Sequence, residues 1–443
     1  MLEALVASCE RHADRLAIVA GDVAWTYRQL LDEVLSARDM LDRFGGPYLL
    51  MPRNTPPSVA LLLGGIAGRG IPLLADAAWS SAELTEMARR CGAGYLITDT
   101  GPPVGFDRVS TRDATPGTAF GRFSSGSTGR SRCLEFSEDA ALAAASGWCE
   151  AAGLTEQDRV LCLATLNNGL AFNASLLCVF LAGATLGFHP GRLLPRSIAR
   201  TIDRFRPSVM VAFPFVYEQL AAGGPVPTRG LRLAVSSSAR LERAVADCWR
   251  AAGLPICDYY GLVEVGPCTF NNGSRTDSVG TLLPHVDCRV EGDGRIRLRS
   301  PSMSHGYLDE GPLFADQLDA DGYYVTADLG TLTAEHQIVL HGRVGRVVNV
   351  AGRKIDPAEI EDVLRTLDGV TDAVVRAEES ASRQVLAAYV ESAFVGRADV
   401  VGHCVARLTP YKVPQLVTVV PVLPRSSSGK VMLSALPRTG GHP

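Results

Sequence analysis

Two segments of the sequence repeat one pattern of apolar and small residues. In residues 59–77, VALLLGGIAGRGIPLLADA, and again in residues 174–190, ASLLCVFLAGATLGFHP, an apolar helical run ends in small residues and turns into a short apolar strand. A helix that leads into a buried strand is half of a βαβ unit, and strands buried on both faces read as continuous apolar runs. Further strands of this kind are predicted in residues 159–165, 208–213 and 232–237. The pattern predicts a doubly wound α/β fold for roughly the first 340 residues.

The sequence changes in character after about residue 275, where polar and apolar residues alternate between Gly and Asp turns. We predict antiparallel strands there, in a small β-barrel or distorted sheet. In the last hundred residues, the helix PAEIEDVLRTL (357–367), two strands and a second helix, VVGHCVARL, predict a small α+β unit. The fold class is therefore α/β, with a large N-terminal domain in residues 1–342, a hinge in residues 343–346 and a small mobile α+β lid domain in residues 347–443.

Composition excludes several classes of function. The formal net charge is -4 and no long basic run occurs, so we expect no nucleic-acid partner. The N-terminus lacks a basic segment followed by an apolar one, and no uninterrupted apolar stretch approaches about 18 residues. We therefore expect a cytoplasmic protein without a membrane segment. The 11 cysteines are scattered without a C-x-x-C pair, which predicts free and mostly buried thiols.

A loop rich in serine, threonine and glycine lies in residues 123–133, FSSGSTGRSRC. After a strand, such a loop presents unhindered backbone N–H groups and hydroxyls around a concavity, as phosphate sites do. The same composition is common in plain linkers, so the loop alone does not establish a phosphate site. A P-loop NTPase requires G-x-x-x-x-G-K-[ST], and this loop lacks it because Arg130 follows Gly129. The segment SSSGKV lacks it too, because Val431 follows Lys430.

Four further motifs follow that loop along the chain. They are YYGLVE (259–264), YVTADLG (324–330), GRVGRVVNVAGRKIDPAEIE (342–361) and LPRSSSGKV (423–431). Together with SSGSTGRSR, they resemble the motifs of the acyl-adenylate-forming superfamily, which includes acyl-CoA synthetases, nonribosomal-peptide adenylation domains and luciferases. The resemblance implies a stand-alone, AMP-forming acid–thiol ligase of the acyl- or aryl-CoA synthetase type, shorter at the N-terminus than most relatives. It also implies ATP, with AMP as product, together with Mg²⁺ and coenzyme A.

The resemblance assigns the phosphates and the metal to two motifs. The loop would wrap the β- and γ-phosphates of ATP. Its predicted phosphate-binding residues are Ser124, Ser125, Gly126, Ser127, Thr128, Gly129 and Arg132. Glu264 would hold Mg²⁺ as a hard oxygen ligand, with Thr128 as a second ligand.

The remaining motifs supply the nucleotide site and the catalytic residues. Tyr260, next to Gly261, would stack on adenine. Asp328 would accept hydrogen bonds from the ribose hydroxyls, and Arg343 would assist there. Lys430 would reach the substrate carboxylate and the α-phosphate, where charge builds as the acid attacks. The predicted catalytic residues are Lys430, Glu264 and Arg343.

The resemblance implies that thioester formation needs a second orientation of the small domain relative to the large domain. Since the pantetheine thiol must reach the carbonyl group that the lysine serves, the resemblance implies that the small domain rotates about its hinge. The hinge aspartate of the family is replaced by Gly345, which widens the accessible backbone range. The predicted thiol channel consists of Val350, Ala351, Gly352 and Arg353.

The acyl pocket is predicted around residues 163–175, LATLNNGLAFNAS. Asn167 and Asn168 stand where relatives carry an aromatic or histidine gate, and no aspartate is present to pair with an α-amine. We therefore expect an uncharged acid, either an aryl or a medium-sized acyl group, and not an α-amino acid. Both asparagines could instead end a strand. The rest of the predicted wall, which core packing would explain equally, is Phe213, Tyr217, Ser237 and Tyr259.

Several departures from the family pattern lie near ATP and keep alternatives open. Val263 replaces a threonine that would donate to the α-phosphate, a loss expected to slow adenylation by about one to two decades. Ser131 and Arg132 replace a proline and a lysine, and Ala327 replaces a glycine. The alternatives are an adenylating enzyme that loads a separate carrier protein, a weakly adenylating acyltransferase and a non-catalytic nucleotide-binding protein. We expect an external thiol acceptor, CoA or a free-standing carrier protein, and leave a homodimer open.

Overall fold

Two seven-stranded sheets form the larger part of the molecule. The computed structural model of the chain describes residues 2–107, 109–110, 112–124, 131–224, 226–238, 241–273, 278–310, 312–344, 348–350, 353–355, 357–380, 383–426 and 429–437. The predicted fold class is confirmed, since helices cover both sheets and a small α+β unit follows an antiparallel sheet. Within these residues, no helix combines the length and the apolar character needed to cross a bilayer.

The first sheet contains the strands that the apolar runs predict. All neighbouring strands are parallel except the last pair. In spatial order, its strands are Ile256–Asp258, Leu233–Ser236, Val209–Ala212, Arg159–Cys162, Thr185–Phe188, Leu16–Ala20 and Val23–Thr26. Because parallel strands end on the same edge, the segments that follow them converge at the carboxyl edge of this sheet.

The second sheet carries the glycine-rich loop. In spatial order, its strands are Gly306–Tyr307, Cys133–Phe136, Phe120–Phe123, Ile71–Leu74, Pro47–Leu50, Tyr95–Ile97 and Val104–Gly105. Phe120–Phe123 and Cys133–Phe136 pair antiparallel, and the loop connects them.

Antiparallel pairs follow in the second half of the chain, as the sequence predicts. A four-stranded sheet contains Asp287–Val290, Arg295–Arg299, Tyr324–Leu332 and Ile338–Arg343. Three two-stranded ladders are Gly261–Leu262 with Gly266–Pro267, Thr269–Phe270 with Thr281–Leu282, and Val348–Val350 with Arg353–Ile355. A last sheet contains Asp372–Ser380, Arg383–Glu391 and Leu416–Val420.

Helices pack on the sheets, and several begin at side-chain caps. Thr26 and Ser80 each form a capping box, with Gln29 and Glu83 respectively, which satisfies otherwise unpaired backbone N–H groups. The α-helices are Leu2–His12, Tyr27–Leu41, Pro56–Ile66, Ser81–Cys91, Glu138–Ala152, Gly169–Ala171, Leu177–Ala182, Pro195–Phe205, Pro214–Ala222, Arg243–Ala251, Pro357–Arg365 and Arg397–Arg407. A π-helical turn covers Phe172–Leu176, and 3-10 turns cover Pro312–Gln317, Pro410–Lys412 and Leu433–Ala435.

The C-terminal unit has hydrophobic clusters of its own. One is built only from residues between Ile355 and Val419, and a second from residues between Val374 and Leu436. The cysteine prediction is confirmed, because all 11 thiols are free and Cys248 is the exposed one.

Asp158 ties together the amino ends of neighbouring strands of the first sheet. Its nearly buried carboxylate accepts hydrogen bonds from Ser208 at 2.7 Å, from Arg232 at 2.7 and 2.8 Å and from the Thr155 backbone at 2.9 Å. Burial alone would raise the pKa of Asp158, but these hydrogen bonds, led by Arg232, outweigh it and lower the pKa to about 2.

We predict that Asp158→Ala lowers the free energy of unfolding by about 2–3 kcal/mol, because it leaves buried donors without an acceptor. Urea denaturation at pH 7 measures this loss. The stabilisation by Asp158 is present above the unfolded-state pKa of about 3.9 and is lost as the pH falls toward 2. The matched control is Asp14→Ala, since Asp14 is 91% exposed in its pair with Arg28, and its effect should stay within about 0.5 kcal/mol. Equal effects of the two substitutions would contradict the prediction.

Candidate functional site

Two hydrogen bonds between Ser124 and Arg132 join the two ends of the glycine-rich loop. The Ser124 N–H donates to the Arg132 carbonyl at 2.9 Å, and the Arg132 N–H donates to Ser124 Oγ at 3.2 Å. The Arg132 side chain pairs with Glu310 at 3.0 Å and lies 5.6 Å from the centre of the Tyr307 ring. The other predicted phosphate-binding residues lie outside the described residues: Ser125, Gly126, Ser127, Thr128 and Gly129. The stem therefore fixes both ends of the loop at the carboxyl end of Phe120–Phe123.

The predicted ribose-binding pair is set by strand register. Asp328 and Arg343 lie directly opposite each other on neighbouring antiparallel strands, and their side chains approach to 3.4 Å. The Tyr260 hydroxyl donates to the other Asp328 oxygen at 2.6 Å, a contact that the sequence does not predict. Burial raises the pKa of Tyr260, and the charge of Asp328 adds to this effect. Tyr260 follows Asp258 at the carboxyl edge of the first sheet, so Asp328 joins the antiparallel sheet to that edge.

Glu264 lies in the turn between the short strands Gly261–Leu262 and Gly266–Pro267. The Tyr307 hydroxyl lies 3.5 Å from Glu264 Oε1, and the Ser304 N–H donates to the Glu264 carbonyl at 2.9 Å. Burial raises the pKa of Glu264, while Arg343 and the Tyr307 hydrogen bond partly oppose it. A nearby cation would stabilise the ionised form of this carboxylate.

Glu264 fits a site in which Mg²⁺ is bound together with the phosphates of a nucleotide. Among the described residues, no group of three or more His, Cys, Asp or Glu side chains is placed to hold a metal by itself. Mg²⁺ is commonly bound by one or two protein carboxylates together with substrate phosphates, and one half-buried carboxylate near the stem of a loop suited to phosphate meets that description.

Lys430 lies at the end of a tight turn in the C-terminal unit. The Ser426 N–H donates to the Lys430 carbonyl at 2.8 Å, and Gly429 adopts a positive φ of 83° that favours glycine. A Cβ atom on Gly429 would lie 3.6 Å from the Phe215 ring, so this turn packs against helix Pro214–Ala222 of the large domain. Arg425 braces the turn by donating to the Gly429 carbonyl at 3.2 Å.

The turn brings Lys430 to the residues of the other motifs. Lys430 is exposed as a residue, yet protein surrounds its ammonium group on most sides, and this desolvation lowers the pKa of Lys430. Arg343 lowers it further, whereas Glu264 and Asp328 act in the opposite direction. Four residues from four separate motifs therefore share one electrostatic environment.

The structure brings together only some of the residues predicted to line the acyl pocket. Asn168 caps the helix Gly169–Ala171 by accepting from the Leu170 N–H at 2.9 Å, and it also accepts from the Ser238 hydroxyl at 3.1 Å. Its neighbour Asn167 is half-buried. Ser237 donates to the Tyr259 carbonyl at 2.9 Å, and the Tyr259 ring lies 5.1 Å from Trp148.

Two predicted wall residues belong to the core. Tyr217 is fully buried against Trp249, and its hydroxyl approaches two backbone carbonyls, those of Met210 and Val235, at 3.1 and 2.9 Å. Tyr217 therefore does not face the cleft, which corrects that expectation. Phe213 is also buried and stacks on Phe215 at 6.1 Å.

The predicted hinge and thiol channel are described only in part. Val350 and Arg353 are opposite each other in the ladder of Val348–Val350 with Arg353–Ile355. Gly345, Ala351 and Gly352 lie outside the described residues.

Two charged residues near the site were not predicted from the sequence. Arg122 is buried at the end of strand Phe120–Phe123, immediately before the glycine-rich loop. Asp258 ends strand Ile256–Asp258, two residues before Tyr260, and burial raises its pKa to about 7. A charged residue within an otherwise apolar strand is the signal that could have identified both.

Comparison with known proteins identifies relatives over most of the chain. Residues 112–308 match the family described as AMP-binding enzyme, and residues 359–430 match the AMP-binding enzyme C-terminal domain. The 3-[(3aS,4S,7aS)-7a-methyl-1,5-dioxo-octahydro-1H-inden-4-yl]propanoyl:CoA ligase of Mycobacterium tuberculosis is 28% identical over 423 residues, which cover 91% of this chain and 82% of that protein. The anthranilate–CoA ligase of Pseudomonas aeruginosa is 26% identical over 425 residues, covering 88% and 81%.

Solved structures share the fold. ATP-bound MatB from Rhodopseudomonas palustris superimposes with a TM-score of 0.85 at 20% identity, covering 97% of both chains. The o-succinylbenzoate CoA synthetase of Bacillus subtilis in complex with its acyl-adenylate intermediate gives a TM-score of 0.86 at 20% identity, covering 99% of both chains.

We predict that Tyr260→Phe raises the KM for ATP about tenfold with little change in kcat, because Asp328 loses a charge-assisted hydrogen bond that orients it. Steady-state kinetics of pyrophosphate release measure both constants. Tyr323→Phe is the matched control, since the Tyr323 hydroxyl donates to the exposed carboxylate of Asp287 in an equivalent pair. A rise in KM of the same size in both variants would contradict a role for Tyr260 at the nucleotide.

We predict that Asp258→Asn raises the melting temperature at pH 8 by about 2–4 °C. The raised pKa of Asp258 means that the folded state keeps a proton that the unfolded state releases, so stability falls as the pH rises from about 4 to 7. The gain should shrink at pH 5. Thermal denaturation at both values tests this, with the 92%-exposed Asp22→Asn as control. A gain that does not depend on pH would contradict the assignment.

Proposed function

Since this chain belongs to the family of AMP-binding enzymes, the acyl-adenylate-forming superfamily, we propose that it activates a carboxylic acid with MgATP as an acyl-adenylate and transfers the acyl group to CoA. The observation that carries this proposal is the position of Lys430. A cation on the C-terminal unit shares one electrostatic environment with Glu264 and Asp328 of the large domain and with Arg343 at the predicted hinge.

In the first half-reaction, a carboxylate oxygen of the acid attacks the α-phosphorus of ATP. The bond from that phosphorus to the bridging oxygen of pyrophosphate breaks, and pyrophosphate leaves. Negative charge grows on the α-phosphate oxygens as this occurs, and a positioned ammonium group stabilises it. We assign that role to Lys430, with Arg343 adding positive charge and Asp328, oriented by Tyr260, holding the ribose.

The metal supports the same step. When bound, Mg²⁺ neutralises charge on the phosphates. Glu264 would hold it, and Thr128 remains the second predicted ligand. Tyr307 orients Glu264 by its hydroxyl, so the carboxylate is already directed before nucleotide binds.

In the second half-reaction, the CoA sulfur attacks the carbonyl carbon of the acyl-adenylate. The bond from that carbon to the AMP oxygen breaks, AMP leaves with the electron pair, and the thiol proton passes to solvent. We propose that residues 347–443 turn about residues 343–346 between the two steps, relative to residues 1–342. The separate hydrophobic clusters of the C-terminal unit support this division, because the unit can move without opening a shared core.

The class of acid follows from the pocket residues. We propose an aryl or medium-sized acyl substrate that is not an α-amino acid, because Asn167 and Asn168 are amides and Asn168 is fixed by Leu170 and Ser238. The position of Lys430 favours an adenylating enzyme over an acyltransferase that uses preformed adenylate. A carrier-protein acceptor, a homodimer and a cytoplasmic location remain predictions.

We predict that Lys430→Ala lowers the rate of acyl-adenylate formation about 10²-fold, because it removes a charge aimed at the transition state. ATP–pyrophosphate exchange with a panel of aryl and acyl acids measures this step. Lys412→Ala is the matched control on the same unit, since Lys412 is held by a surface pair with Glu359. A non-catalytic nucleotide-binding protein would show no exchange in any variant, and undiminished exchange in Lys430→Ala would overturn the proposed role.

A further inference from the structure

Within the described residues, a buried cation that forms no ion pair lies next to the proposed active site. Arg122 is 4% exposed, and within the described part of the chain its guanidinium forms no ion pair and donates no hydrogen bond. The Nε atom is shielded from solvent and lacks any partner. Buried arginines are normally paired, because an uncompensated buried charge is strongly destabilising. Such a group in a folded protein calls for a ligand that supplies the missing charge.

Strand geometry fixes the side to which Arg122 points. Side chains alternate along a strand, so Arg122 shares a face with Phe120 and not with Phe123. Phe120 stacks on Phe172 at 5.1 Å, in the core between the two large sheets, whereas Phe123 packs on Trp79 in a different cluster. Arg122 therefore faces the interior between the sheets, where the predicted acyl pocket lies.

The surroundings hold the guanidinium in place without neutralising it. It lies 5.3 Å from the centre of the Phe172 ring and 5.9 Å from that of Phe136. A Cβ atom on Gly169 would approach Nη2 to 2.6 Å, so glycine at that position leaves the space that Arg122 occupies. Burial lowers the pKa of Arg122 to about 10, with Tyr259 and Glu264 acting against the shift, so the group stays charged at neutral pH.

Arg122 and Lys430 have different electrostatic neighbours apart from one shared carboxylate. Arg122 interacts electrostatically with Tyr259 and Glu264. Lys430 interacts with Arg343, Glu264 and Asp328. Glu264 is the group common to both sets, so both cations lie within electrostatic range of one carboxylate. Gly169, next to Asn168 of the predicted acyl pocket, borders the Arg122 guanidinium, so an acid whose reacting carboxylate meets Lys430 would extend its other end toward Arg122.

We propose that Arg122 recognises a second anionic oxygen group at the far end of the acid, so that the substrate is a dicarboxylic acid or an aryl acid with a second carboxylate. This inference rests on the proposed function, and it replaces the expectation of an uncharged acid. A planar guanidinium with several donors matches a carboxylate in charge and geometry. The aromatic rings beside it suit the apolar body that joins the two carboxylates.

The test compares diacids with uncharged partners of similar shape. Glutarate, adipate and isophthalate, each beside its monomethyl ester, are titrated into the full-length protein, and binding is measured by calorimetry. We expect the wild-type protein to bind at least one diacid about ten- to a hundredfold more tightly than its ester. Arg122→Met should reduce that ratio toward one. Absence of any diacid preference in the wild-type protein, or a preference kept by Arg122→Met, would overturn the inference.

Two controls separate the alternatives. Arg159→Met removes a guanidinium that also lies over a phenylalanine ring, 4.4 Å from the centre of Phe205, but at the amino edge of the first sheet, and it should keep the diacid preference. The apo melting temperature of Arg122→Met should equal or exceed that of the wild type, because an unpaired buried charge is removed. If that variant does not fold, Arg122→Lys and the wild-type binding ratio still decide the question.

Pyrophosphate exchange with the same probes tests the proposed function separately. Exchange with the esters and no preference for diacids would refute the role of Arg122 and leave the ligase activity intact. Binding of a diacid that depends on Arg122, without exchange for any acid, would support the anion site and refute the ligase activity.

Discussion

Charge balance in the cleft is the constraint on which the rest of the site depends. Lys430 enters a space that already contains Arg343, and two like charges in a partly desolvated cleft repel strongly. Glu264 and Asp328 offset this repulsion, and both are placed by backbone structure: a tight turn for Glu264 and a paired strand for Asp328. The turn that carries Lys430 therefore lies near two acidic groups that the backbone of the large domain holds in place.

The contact between the two units extends beyond that cleft. The turn that carries Lys430 packs on Phe215, and Glu218 lies one helical turn farther along helix Pro214–Ala222. Burial raises the pKa of Glu218, and the nearby charge of Glu242 adds to this effect while Arg425 opposes it. Arg425 also pairs with Asp372 at 2.8 Å. One arginine thus braces the lysine turn and meets an acidic face of the large domain.

Local pattern predicts most of the fold, because each buried strand carries its own signal. The strands Arg159–Cys162, Val209–Ala212 and Leu233–Ser236 lie inside the predicted segments, and helix Pro357–Arg365 begins at its predicted proline. Motif order also predicts which charged residues influence one another, since the charges of Glu264 and Asp328 act on Lys430.

The failures concern the direction of side chains, which local pattern does not determine. Tyr217 follows Phe213 by about one helical turn, yet it faces Trp249 and the core because the helix packs with that side inward. The Tyr260 hydroxyl meets Asp328 across a gap of 68 positions in the chain, a distance that no local signal spans. Arg122 is readily seen in the sequence beside the glycine-rich loop, but the lack of a hydrogen-bond partner for its Nε atom among the described residues is a property of the folded interior.

The hydrogen bonds gathered by Asp158 lie on one edge of the first sheet, and the residues around Asn168, Ser237 and Tyr259 lie on the other. Substitutions that enlarge, narrow or recharge the pocket therefore leave the main anchor of the strands untouched. Because stability and substrate recognition depend on opposite edges of this sheet, the protein can acquire new substrate specificity through successive mutations without first gaining stability. The carboxyl edge is therefore the natural target for engineering.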